Sequence, residues 1–261
     1  MRALVLAHRY LAELKGVART IPNEGLLIST LSLQEAQSSS EIENIITTQD
    51  ALYKYQIQPD RADPVSKEVA HYVDGLDVGF RQVRRDGLIT LNTILEVQAA
   101  LEGNDAGFRK TPGTLLKNEQ TGETVYEPPS PELVPDLMAT LEEFIHSDSG
   151  LDPQVRMALI HHQFESIHPF YDGNGRTGRI INILCLVREG LLDTPILYLS
   201  RYISQTKSTY YQTLQQVRDD NNWEQWLLYI LRGVAETARH TTTLVEGIRS
   251  LLQPYKQRIR S

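Results

Sequence analysis

The sequence predicts a mostly α-helical fold with one small β-hairpin. Three observations predict it. Apolar residues recur at helical spacing through most of the chain. One segment, Phe108 to Pro129, breaks the pattern with Pro112, Gly113, Gly122 and Pro128–Pro129 around two short strand-like runs. Helix-start signals, a short polar residue followed by proline, precede two periodic segments at Ser130–Pro131 and Asp152–Pro153.

Met1 to Leu14 spaces Leu4, Val5, Ala7, Leu11 and Leu14 as a helix, which Pro22 and Gly25 break. Leu26 to Gln37 reads as the next helix. Serines 38–40 followed by Glu41 and Glu43 then form an N-cap pattern, with Ser39 or Ser40 as cap and acids in the first turn. A helix is therefore expected over about residues 39–54. Gln58 to Pro64 is a proline-bounded loop, and helices follow over Val65–Arg85 and Leu88–Leu101. Thr114–Lys117 and Glu123–Tyr126 flank Asn118–Gly122 as a hairpin. Further helices are expected up to Ile145, from Pro153 to Ile167, from Arg179 to Val187, and from about Ser200 to Asn221. Trp223–Arg232 and Gly233–Gln253 give one or two more, and Pro254–Ser261 reads as a frayed charged tail. The expected organisation is an N-terminal helical region, residues 1–85, continuous with a core domain, residues 86–261, that carries the hairpin at 108–129.

The 261 residues suffice for a sizeable core, and 41% are hydrophobic, ordinary for a globular protein. The net charge of −7 argues against a sequence-independent nucleic-acid binder. The single cysteine, Cys185, excludes an intrachain disulfide and a CxxC zinc site. With no membrane-length apolar run and no secretory leader, the expectation is a cytoplasmic protein that engages neither membrane nor nucleic acid.

The chemistry concentrates in His168-Pro-Phe-Tyr-Asp-Gly-Asn-Gly-Arg-Thr-Gly-Arg179. Apolar-periodic segments on both sides make this a tight loop between two buried helices. Gly173, Asn174 and Gly175 would open the second helix, where unpaired N–H groups and the positive dipole end favour an anion. Arg176 and Arg179, at i and i+3, can project from one face. Asp172 could hold a hard cation on phosphate oxygens, and His168 could take a proton near neutral pH. An Asp-Gly-Asn-Gly turn alone is ordinary, but it does not explain the histidine, the acid and both arginines around Phe170. His161, His162 and Glu165 invite a metal reading; without an HExxH pattern, and with the two histidines on different faces, zinc is disfavoured.

The stretch resembles the core motif of the Fic family, HxFx[DE]GNGRxxR. Every fixed position matches: His168, Phe170, Asp172, Gly173, Asn174, Gly175, Arg176 and Arg179. The resemblance implies a Fic-fold helical domain that transfers AMP from ATP to a Ser, Thr or Tyr hydroxyl of a protein. The related Doc toxins, which phosphorylate, place a lysine where this chain has Gly175. On the resemblance, His168 is the catalytic base and Asp172 the Mg²⁺ ligand. Gly173, Asn174, Gly175, Arg176, Thr177, Gly178 and Arg179 contact the nucleotide, joined by Tyr211 with Tyr210 close behind. The hairpin becomes a flap that holds the target in extended form. The target could be the protein itself, and self-association as a homodimer is implied.

Ser39-x-x-x-Glu43-Asn44 also matches the family's inhibitory motif, [ST]xxxE[GN]. The resemblance implies that Glu43 pairs with Arg179 in place of the ATP γ-phosphate. Three rival readings accompany it: removal of AMP, with Glu43 activating water; a catalytically silent nucleotide-binding module; and a metal hydrolase using the His161–His168 cluster. Many relatives continue into a winged-helix module; none is legible here, so the chain reads as a short member or a truncated one.

Overall fold

The computed structural model describes residues 1–58, 63–117 and 121–260, with only the backbone described from residue 252 onward. Among the described residues it contains eleven α-helices and one two-stranded sheet, the architecture expected from the sequence. The chain forms two compact units: residues 1–70 with 189–261, and residues 71–188.

The first unit is built on α1 (Arg2–Ala18) lying against α11 (Trp223–Arg260). Ala7, Leu11 and Leu14 form the buried stripe of α1. On α11, Trp226, Ile230, Val234, Ala238, Thr241 and Val245 are all buried at helical spacing. Of the one or two helices expected, that unbroken stripe makes one, and its backbone stays helical to Arg260, through most of the segment read as a frayed tail.

The expected helix over about residues 39–54 is not a single helix. α2 (Glu24–Ile42) runs through the serines and stops at Glu43. A separate α3 (Gln49–Ile57) starts at Thr48, whose side chain accepts from Ala51 N–H. Ser39 and Ser40 are fully buried in the last turns of α2 and do not cap a helix. Burial overrides their capping preference, because α2 packs on α9 (Leu199–Gln205) through polar groups. Glu35 accepts from Ser200 N–H at 3.0 Å and from its hydroxyl. Ser38 Oγ bonds Tyr198 Oη at 2.7 Å, and Ser204 Oγ donates to Glu41 at 3.0 Å. The helix expected from Ser200 to Asn221 breaks at Thr206 into α9 and α10 (Lys207–Asp220).

The second unit holds the last part of α4 (Pro64–Asp86), α5 (Leu91–Glu102), the hairpin, α6 (Val134–His146), α7 (Pro153–Ile167) and α8 (Asn174–Arg188). α8 is its centre: residues 176–186 are buried on every face, and both α5 and α7 pack on it. Thr90 and Thr93 close a reciprocal capping box at the start of α5. Asp152 caps α7 by accepting from Gln154 N–H at 2.9 Å, with Pro153 in the first turn. The hairpin is short: β1 (Leu116–Lys117) pairs antiparallel with β2 (Thr124–Tyr126), Leu116 opposite Tyr126. Residues 118–120 of its expected tip, and 59–62 of the expected proline-bounded loop, lie outside the described residues.

Candidate active site

The loop from His168 to Gly173 joins the C-terminus of α7 to the N-terminus of α8. His168 is the C-cap of α7 and adopts φ 49°, ψ 61°. A side chain at positive φ costs about 1–2 kcal/mol, so the surroundings must enforce it. His168 N–H donates to Phe164 O at 2.9 Å, and His168 O accepts from Arg109 Nε at 2.8 Å. Phe170 is fully buried, with ring centroids 5.5 Å from Phe108 and 6.2 Å from Phe164.

Asn174 closes the loop on itself. Its Oδ1 accepts from Phe170 N–H at 2.8 Å and its Nδ2 donates to Phe170 O at 2.9 Å. The amide is thereby committed to the loop, and what Asn174 can offer an anion is backbone at the start of α8. Asp172 is exposed, and its Oδ1 accepts from Gly173 N–H at 2.7 Å. The carboxylate thus stands at the mouth of the α8 N-terminus.

The arginines serve two different helices. Arg176 is 2% exposed, and its Nη2 donates to Glu102 Oε1 of α5 at 3.0 Å. Arg179, also 2% exposed, lies beside His161 of α7. His161 is fully buried; burial first, then the charges of Arg179 and His162, push its imidazole down to about 3, against a hydrogen bond with the Gly178 backbone. Thr177 faces the interior, fully buried. A Cβ on Gly178 would lie 2.6 Å from Glu165 Oε1 and 3.3 Å from His161 Nδ1. The histidine–glutamate pair that suggested a metal therefore packs against α8 where only glycine fits.

Three residues of this site escaped sequence reasoning: Glu102, Arg109 and Tyr171. Tyr171 accepts from Lys110 N–H at 2.8 Å, which, ahead of Thr111, draws its phenol below the usual range. None of the three carries a local signal beyond proximity to Gly103, to the hairpin or to His168.

In the first unit, Glu43 is the C-cap of α2, partly buried, and Asn44 adopts φ 61°. The last motif position, Gly or Asn, is therefore the left-handed residue that ends the helix, a conformation these two residues adopt most readily. Lys207 Nζ donates to Asn44 Oδ1 at 3.1 Å. On α10, Tyr210 is buried against Trp226 and Tyr229, while Tyr211 is 43% exposed.

Comparison with known proteins agrees with this architecture. Residues 1–81 match the family described as Fic/DOC family N-terminal, and residues 88–186 match the Fic/DOC family. The chain belongs to the Fic/DOC family. A probable protein adenylyltransferase of Aquifex aeolicus is 39% identical over 79 residues, 30% of this chain and 25% of that protein. The Drosophila virilis protein adenylyltransferase Fic is 33% identical over 147 residues, 54% of this chain and 28% of its own length. The chain thus spans about a quarter of the length of these curated relatives. A Fic family protein from Desulfovibrio desulfuricans shares the fold, with a TM-score of 0.73 at 22% identity, covering 94% of this chain and 75% of that one. Among the described residues, no helix is long and apolar enough to cross a membrane.

Proposed function

We propose that this chain transfers AMP from ATP to a hydroxyl of a protein, releases pyrophosphate, and is restrained by Glu43. The observation that carries this reading is the single loop from His168 to Arg179. A histidine held at positive φ precedes a helix N-terminus with a carboxylate at its mouth and two buried arginines along it. The relatives named as protein adenylyltransferases support it.

His168 takes the proton of the target hydroxyl. The hydroxyl oxygen attacks the α-phosphorus, and the bond to the bridging oxygen of pyrophosphate breaks. First-turn N–H groups of α8, with its dipole, stabilise the phosphate charge. Arg179 meets the γ-phosphate. Gly175 leaves the helix start open to the nucleotide, and Tyr211 borders the nucleoside. Among the described residues no group of three His, Cys, Asp or Glu could cage a metal. Asp172 alone suits a magnesium ion that takes its other ligands from phosphate and water. When bound, such an ion neutralises phosphate charge. The hairpin receives the target segment as an added strand.

Restraint comes from Glu43 occupying Arg179 where the γ-phosphate would sit. The buried Ser39 and Ser40 and the left-handed Asn44 support this reading by fixing the corner from which Glu43 projects.

The test is intact mass after incubation with ATP and Mg²⁺, alone and with a candidate target, for the chain and for Glu43→Gly. An added AMP, greater in Glu43→Gly and reduced by about 10²–10⁴-fold in Glu43→Gly/His168→Ala, is the expected result. An added phosphate, or loss of AMP from a premodified target as the only activity, would overturn it.

A further inference from the structure

Residues 108–110, at the start of the hairpin segment, run beside the catalytic loop and meet it in turn. The Phe108 ring lies against Phe170, with centroids 5.5 Å apart. Arg109 N–H donates to Pro169 O at 2.9 Å, and Lys110 N–H donates to Tyr171 Oη at 2.8 Å. Between these contacts the Arg109 guanidinium turns inward and is 2% exposed. Its Nε donates to His168 O at 2.8 Å, and its Nη2 to Ile167 O at 3.4 Å and to Pro129 O.

These acceptors have a pattern. Ile167 and His168 supply carbonyls at the end of α7, the negative end of the helix dipole. Pro129 lies at the far end of the hairpin segment that begins near Arg109. One guanidinium therefore joins both feet of the hairpin to the turn that holds His168 at positive φ. Burying a guanidinium is costly unless its donors are used, and here they are spent on backbone carbonyls. Lysine, a point charge on a flexible stem, cannot reproduce this fork.

We propose that Arg109 is a positioning residue for the transfer reaction: it sets the His168 turn and ties it to the hairpin, so that seating a target on the hairpin is felt at the base. This inference rests on the adenylyl-transfer reading. A displacement of about 1 Å at a reacting group costs on the order of 10²-fold in rate.

The test uses Glu43→Gly as parent, with Arg109→Lys and Arg109→Ala added separately. Transfer to protein, ATP affinity by calorimetry, and the NMR signals of the His168 ring are measured. Arg109→Lys should lower kcat by about 10²-fold while ATP affinity stays within about threefold. Added guanidinium at millimolar concentration should restore part of the Arg109→Ala activity. The His168 ring signals should shift or split in both variants. Losses shared equally between kcat and ATP affinity, with no rescue and unchanged ring signals, would overturn the proposal. If the parent transfers nothing, the adenylyl-transfer reading fails on its own, and the ring signals still decide whether Arg109 positions His168. If Arg109→Ala does not fold, Tyr171→Phe removes the hydroxyl that bonds Lys110 N–H and Thr111 and leaves the Arg109 guanidinium in place. It should give a smaller kcat loss of the same kind; an unchanged kcat and ring signal there would refute the tie to the hairpin.

Discussion

Replacing Gly173 by alanine should break an ion pair that Gly173 does not itself make. Gly173 has φ 74°, and a Cβ there would lie 2.2 Å from Glu102 Oε1 and 2.8 Å from Leu101 Cδ2. The carboxylate would have to move, and it is the one that accepts from Arg176 Nη2 at 3.0 Å. The two side chains are 2% and 11% exposed, so separating them strands a desolvated charge. Breaking a buried pair in this way costs about 3–5 kcal/mol, and left-handed strain on alanine adds about 1–2 kcal/mol. Glu102→Ala removes the same pair and also clears the space. The two substitutions should therefore not add. In the Glu102→Ala background Gly173→Ala should cost about 1–2 kcal/mol of strain, with the close approach to Leu101 Cδ2 common to both backgrounds. The resulting coupling, about 3–5 kcal/mol, is the cost of breaking the pair and is large for a double-mutant cycle. Urea unfolding at pH 7 of all four proteins, with m-values checked for constancy, measures it. Additivity within about 0.5 kcal/mol would refute the reasoning.

Two further predictions follow from burial. His161 titrates near 3 in the folded protein against 6.5 for the free side chain. The unfolded chain therefore binds the extra proton between these values: its contribution is intact above pH 6.5 and is lost as pH falls toward 3. His161→Gln should flatten stability against pH in that window by up to one proton, as read from urea midpoints; an unchanged slope would contradict it. On α10, Tyr210 is 2% exposed and Tyr211 43%. Tyr210→Ala should cost about 3–5 kcal/mol in unfolding free energy. Tyr211→Ala should leave stability within about 1 kcal/mol and raise KM for ATP; the reverse assignment would show that Tyr210 meets the nucleoside.

The loop that carries the site was legible in the sequence because its interactions are local. Asn174 bonds Phe170 four residues away, Asp172 bonds the next N–H, and Asp152 caps the helix it precedes. Local patterns also misled. The serines before Glu41 have the composition of a helix start, yet they end α2, because Glu35 and Ser38 bind Ser200 and Tyr198, more than 150 residues away. The serines read as a helix cap are buried residues of the helix interior.

By itself, then, the sequence determined the helical class, the hairpin's place and the loop from His168 to Arg179. Each depends on contacts within a few residues, where spacing fixes geometry. Only the tertiary structure decided that Arg176 faces Glu102, that Arg109 binds the His168 turn across 59 residues, and that His161 lies buried beside Arg179. Those partners are chosen by which helix faces are forced together around α8, and a buried charge there takes whatever group the packing brings within reach.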